Sequence, residues 1–272
     1  MQAKDIFSLI EEEAPLQLQE SYDNAGLQVG DPLQQVTGVV TTLDVTEATI
    51  STAISQGANL IVSHHPLLFH PARRIDPRND YISRVIIEAI RHGVVIYSAH
   101  TNLDNAPRGV NFRLGQELGL LSTRPLVPLS SAQTSGLDPE FASRCGSGLI
   151  GEFPSAMSAA DAVALIKQCI GADAVLANSG EFDMTRSVRT MAMCGGAGDD
   201  FIADAERQGA DIYLTGEVSY HRFFGHPELL VLCGGHFETE RHTSRLLADM
   251  IRQRCPELPV TIVPPSTPIR VF

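Results

Sequence analysis

The chain of 272 residues has no CxxC pair and no even set of cysteines; its five, Cys145, Cys169, Cys194, Cys233 and Cys255, are scattered. That argues against a thiolate zinc site and a disulfide framework, and points to a reducing, cytoplasmic compartment. No apolar run approaches the roughly 18–20 residues of a membrane span, so no membrane partner is expected. Basic residues are few: 20 Lys and Arg against 32 Asp and Glu give a net charge of −12. Nothing supplies a basic stripe, which argues against nucleic acid as a partner. An anionic substrate would need a local cation to offset that field. The opening MQAKDIFSLIEEEAP places acids where a signal peptide needs its apolar core, and so reads as an amphipathic helix.

What is present is an alternation of apolar strands and capped helices. Leu60, Ile61 and Val62 form a continuous apolar run, the pattern of a strand buried on both faces. His64 and His65 follow at once, and Pro66 takes the chain out of the sheet. A core strand therefore ends in paired imidazoles at its carboxyl edge, where open α/β sheets bind ligands. Upstream, the spacing predicts a first helix ending before Pro15, a glycine-turn loop over SYDNAGLQVG (21–30), a strand over Val36–Thr42 and a helix capped by Thr46. Downstream it predicts helices over Tyr81–His92, Gly109–Leu118, Ser158–Ile170, Asp200–Gln208 and Thr239–Arg254. Strands are predicted at Val94–Tyr97, Thr190–Cys194, in IYLTGE, at Leu229–Cys233 and at Val260–Val263, ahead of a proline-rich tail. Residues 122–151 are rich in Ser, Pro and Gly without period, and mark a domain boundary. The expected architecture is α/β with mainly parallel sheets: a first domain over 1–124, rejoined at about 232–272, and a second over 125–231.

The chain also repeats itself. ISTAISQGANLIVS (50–63) aligns with IADAERQGADIYLT (202–215), a helix, a QGA turn and a strand at an offset of 152. A weaker match sets Ile96–Asp104 against Leu232–Glu240, placing His100 opposite His236 and Asp104 opposite Glu240. Each copy thus carries a histidine and, four residues on, a carboxylate just past an apolar strand. Two related halves facing each other would bring these strand ends together across a cleft.

Collected, the set is His64, His65, His100, Asp104, His236 and Glu240. Imidazoles and carboxylates without thiolate suit zinc, iron, manganese or cobalt. Six such side chains, two of them carboxylates able to bridge ions, exceed one catalytic zinc site and fit a two-metal centre. Such a centre activates water, so hydrolysis is the expected reaction class. Glu240 also lies near a helix N-terminus, where a carboxylate is favourable without metal. Among the other histidines, His70, His92, His226 and His242 read as surface or supporting groups, and His221, behind the second-copy strand, is the best placed to reach the cleft. GGAGDD (195–200) lacks the GxGxxG spacing of a phosphate loop and reads as a turn. No GxSxG elbow is present. Arg73, Arg74 and Arg108 are the nearest cations and read as solvated.

DNAGLQVG, TLDVT (42–46), SHHPLLF (63–69), AHTNLD (99–104), TGEVSYH (215–221) and GHFETE (235–240) run in order over nearly the whole chain. In these motifs the chain resembles the Nif-three-like family, whose bacterial members are commonly labelled GTP cyclohydrolase I type 2 homologues. The resemblance implies two α/β domains with two divalent ions in the cleft between them and a toroidal hexamer with sites facing its interior. It places the metal ligands on His64, His65, Asp104, His236 and Glu240, with His100 a ligand or an immediate neighbour. By their place in the chain, His100 and His221 are the candidate supporting groups for catalysis. It further implies a small-molecule substrate such as a nucleotide, with activated water attacking purine C8 or a related electrophile. The alternative is a filled but non-catalytic site in a metal-binding, metallochaperone or protein-interaction scaffold. Many members carry Trp where this chain has Tyr22, a difference expected to touch packing more than chemistry.

Overall fold

Two sheets carry the chain, each in its own unit. The computed structural model describes residues 1–272 other than 79, 265 and 272, so Pro265 of the proline-rich tail lies outside the described residues. In chain order the first unit begins with α1 (Ala3–Glu13), β1 (Gly26–Val29), β2 (Val39–Thr42), α2 (Glu47–Ser55), β3 (Leu60–Ser63), α3 (Tyr81–Arg91), β4 (Val95–Ser98) and the single turn α4 (Thr101–Asp104). The second unit contains α5 (Val110–Glu117), β5 (Leu121–Pro128), α6 (Pro139–Ala142), β6 (Gly146–Ser158), α7 (Ala159–Ile170), β7 (Leu176–Ala177), β8 (Ser187–Cys194), α8 (Ile202–Arg207), β9 (Ile212–Thr215), β10 (Leu230–Cys233) and α9 (His236–Glu240). The chain then returns to the first unit with α10 (Thr243–Arg254) and β11 (Val260–Ile262).

The first sheet has the order β1-β4-β3-β2-β11 and is parallel except for β1 on β4. Val40, Ile61 and Ile96 pack with Ile50 and Ala53 of α2 and Val85 and Ala89 of α3. The alternate residues Val39, Leu60 and Val62 are as deeply buried, on the side where α10 packs. Both faces are covered, which is why these strands are apolar throughout.

The second sheet has the order β5-β6-β8-β9-β10-β7. Its centre, β8-β9-β10, is parallel, and β6 and β7 flank it antiparallel. Ile166 and Ile170 of α7 cover Met191, Met193, Ile212 and Leu214. Ile202 and Ala205 of α8 cover the opposite face at Ala192 and Tyr213. The repeat has a structural counterpart: β2-β3-β4 and β8-β9-β10 are each three adjacent parallel strands, with α2 and α8 as the matching crossovers.

Three stretches differ from expectation. The aperiodic 122–151 holds most of β5 and the start of β6, an antiparallel pair. Pro125, Pro128 and three glycines interrupt their alternation, and the glycines serve close approach: a Cβ on Gly151 would lie 2.9 Å from the Leu121 carbonyl oxygen. The glycine-turn loop contains β1, an edge strand on β4. The helix expected over Thr239–Arg254 is two, α9 and α10, parted at Arg241–His242. The units exchange the chain after Leu103, after His242 and after Ser266, against the expected 124 and about 232. Pairing of β5 with β6 and of β10 with β9 holds both strands in the second sheet. Among the described residues no helix is long and apolar enough to cross a membrane.

Candidate metal centre

In the first unit, three neighbouring strands release their polar residues at the same edge. Asp44 follows β2, His64 and His65 follow β3, and His100 follows β4. The ring centroids are 5.1 Å apart for His64 and His65, 5.2 Å for His64 and His100, and 5.7 Å for His65 and His100. One ring nitrogen of each lies within 4.8 Å of the others, close enough to share an ion. His64 is fully buried, whereas the side chains of His65 and His100 are 22% and 17% exposed.

Hydrogen bonds set the tautomers. His64 Nδ1 lies 2.8 Å from the Ala99 carbonyl oxygen, which can only accept, so the proton is on Nδ1. His65 Nδ1 meets Asp44 Oδ1 at 2.8 Å and His100 Nδ1 meets Asp23 Oδ1 at 2.7 Å. All three rings therefore present Nε2 as the basic nitrogen, with an oxygen acceptor behind the other; metal-binding histidines are commonly oriented this way. Asp23 also accepts from the Thr101 and Asn24 amides and the Thr101 hydroxyl. Burial opposes its ionisation, but the hydrogen bond and charge of His100 and these further donors prevail and lower its carboxyl to about 2.

In the second unit, His236 and Glu240 stand one turn apart on α9 and share a face. Glu217, just past β9, accepts from His236 Nδ1 at 2.7 Å. On the far side of the ring, Nε2 is 3.1 Å from Glu240 Oε2. An imidazole between two carboxylates needs a cation on each side: a proton at Nδ1 and, at Nε2, a second proton or a metal. At 3.1 Å the pair admits either a shared proton or a shared ion. Gly196 (φ +63°) permits this approach; a Cβ there would collide with Glu240 Oε1 and lie 3.3 Å from His236 Nε2.

The rest of GGAGDD is a brace. The amides of Gly195, Gly196 and Gly198 donate to Asn111 Oδ1, Thr239 Oγ1 and Thr215 Oγ1. The turn reading holds, and these amides are spent on the protein. Asp104 closes α4, half-buried, and its carbonyl accepts from Asn111 Nδ2 at 3.3 Å. His242 Nε2–H donates to the Val110 carbonyl, and burial lowers its pKa. His221 lies on an exposed 3-10 turn, Tyr220–Phe223, with its ring 5.3 Å from that of Tyr220. In that segment it is Glu217 that braces His236. His226 and His92 pair with Glu206 and Glu88, and Arg73, Arg74 and Arg108 are exposed.

The roles of Asp23, Asp44 and Glu217 are absent from the sequence reading, although all three stand inside its motifs. Their signal is an acid in DNAGLQVG and, in TLDVT and TGEVSYH, just past a buried strand.

The match to the Duf34/NIF3 (NGG1p interacting factor 3) family model runs over residues 1–268. The chain belongs to the Duf34/NIF3 family. Duf34/NIF3 relatives named GTP cyclohydrolase 1 type 2 homolog include one from Clostridium perfringens, 34% identical across 93% of this chain and 92% of the relative. A second, from Lactococcus lactis, is 31% identical over the same shares. Of solved structures, a Staphylococcus aureus protein superposes with a TM-score of 0.87 at 25% identity, covering 100% of this chain and 99% of its own. A Bacillus cereus protein related to NIF3 superposes at 0.88 with 22% identity over the same shares, and shows the fold. Within this NIF3 fold the donor set holds only nitrogen and oxygen, which fits a borderline divalent transition metal.

Proposed function

We propose that this chain is a metal-dependent hydrolase that holds two divalent ions through His64, His65, Asp104, His236 and Glu240, with His100 as a further imidazole beside them. The observation that carries the reading is the common orientation of four imidazoles: His64, His65, His100 and His236 each spend Nδ1 on an oxygen acceptor. His226 also spends Nδ1 on an acid, Glu206, but among the described residues it joins no such cluster, whereas His64, His65 and His100 bring one ring nitrogen each within 4.8 Å of the others. Bound divalent ions supply Lewis acidity and lower the pKa of water toward about 7, which is hydrolytic chemistry. The chain's own residues do the positioning: Asp23, Asp44 and Glu217 hold rings, and Gly196 leaves room for the Glu240 carboxylate. The name shared by the relatives supports an electrophile such as purine C8, where hydrolysis opens the imidazole ring and releases formate. The working form is a homo-oligomer, a toroidal hexamer by family resemblance.

The test is turnover of GTP and of a panel of esters, phosphoesters and amides. Chelator should abolish hydrolysis and added zinc, manganese, iron or cobalt restore it. Asp104→Asn should keep the fold, by circular dichroism, and lose activity by orders of magnitude, because an amide supplies no anionic oxygen. Fully metallated protein that turns over none of these would replace the enzyme reading with that of a metal-binding or interaction scaffold.

A further inference from the structure

The first unit also sets two exposed aromatic rings beside His100. Phe69 is 37% exposed, and its ring centroid lies 5.9 Å from that of His100 with the planes at 88°. Tyr22, 67% exposed, meets Phe69 edge-on at 6.4 Å and 67°.

Both segments are fixed to the imidazole cluster. Asn24 Nδ2–H donates to the Leu68 carbonyl at 2.7 Å, and the Leu68 amide donates to Gln28 Oε1 at 3.1 Å. Asp23, adjacent to Tyr22, receives His100 Nδ1–H. The segment whose Asp23 orients His100 is therefore also tied, through Asn24 and Gln28, to the Phe69 segment. Small-molecule sites combine such rigid apolar surfaces with a few convergent polar groups. The polar groups that converge beside the two rings are the imidazoles and the acids Asp23 and Asp44 bonded to them.

We infer that Tyr22 and Phe69 form a stacking rim that holds a flat nitrogen heteroaromatic ring of the substrate next to His100. This assigns two substrate-contacting residues to the site proposed above and rests on that reading. Guanosine, which has the ring without phosphates, is the probe, and ribose is its control. With the metal-loaded full chain, calorimetry should show guanosine binding and no ribose binding. Phe69→Leu and Tyr22→Ser should each weaken guanosine by about tenfold, the scale of one lost base–aromatic stack. Both variants should keep the wild-type metal content and mass. Absence of guanosine binding at millimolar concentration, equal binding of ribose, or unchanged affinity in both variants overturns the inference. So does a fall in mass by light scattering, which would make the pair a contact between copies of the chain. Guanosine binding that the variants weaken, in protein that takes up no metal, would uphold the rim and reject the metal reading.

Discussion

At the scale of single residues, Asp23 connects stability to the candidate site. Its folded carboxyl titrates at about 2 against 3.8 for the free group, so the unfolded chain binds the proton first. The stabilisation is complete above about pH 5 and is lost as pH falls through 4 toward 2. Its size follows from the shift of nearly two pKa units, about 2 kcal/mol for a side chain with no exposure. Urea unfolding of metal-free protein should find Asp23→Asn less stable than wild type at pH 6 and the gap much narrower at pH 2.5; an equal gap at both would show that the carboxylate's charge is not what matters. The candidate donors were legible because each follows a buried strand and two sit four residues ahead of an acid. Their partners were not, because Asp23 and His100 are 77 residues apart, Asp44 and His65 21, and Glu217 and His236 19. No local pattern encodes such pairings.

At the scale of elements, the turn after β8 makes a prediction that separates backbone strain from the site. Gly196 and Gly57 have nearly equal positive φ, +63° and +67°. A Cβ on Gly57 meets nothing within 4 Å, whereas one on Gly196 strikes the Glu240 carboxylate. Gly57→Ala should cost about 1 kcal/mol of stability and leave metal content unchanged. Gly196→Ala should pay a similar strain and also lose metal, measured by elemental analysis beside thermal melts; full metal retention would mean that Glu240 need not occupy its observed position. The parallel strands were legible from their apolar runs, and the helices from caps such as Thr46 and terminal glycines. β5 and β6 were hidden by the prolines and glycines that let them pack closely. The break between α9 and α10 was hidden by continuous helical periodicity, although it gives His236 and Glu240 a helix of their own.

At the scale of the whole molecule, the proposed homo-oligomer has a direct check. Light scattering at micromolar concentration should give a multiple of the 29.4 kDa chain mass; a monomer would remove the hexamer from the account. Two related α/β units could be read from the sequence because the repeat preserves helix, turn and strand. The points at which the chain changes unit could not, because composition shifts near 122 while the strand from Leu121 already pairs in the second sheet and the first unit ends at Leu103. The central claim is a two-metal centre, and elemental analysis of protein purified without chelator tests it most directly. Wild type and His221→Ala should each carry two divalent ions per chain and Glu240→Ala clearly fewer. Trace metal in the wild type, or equal metal in the two variants, would contradict it.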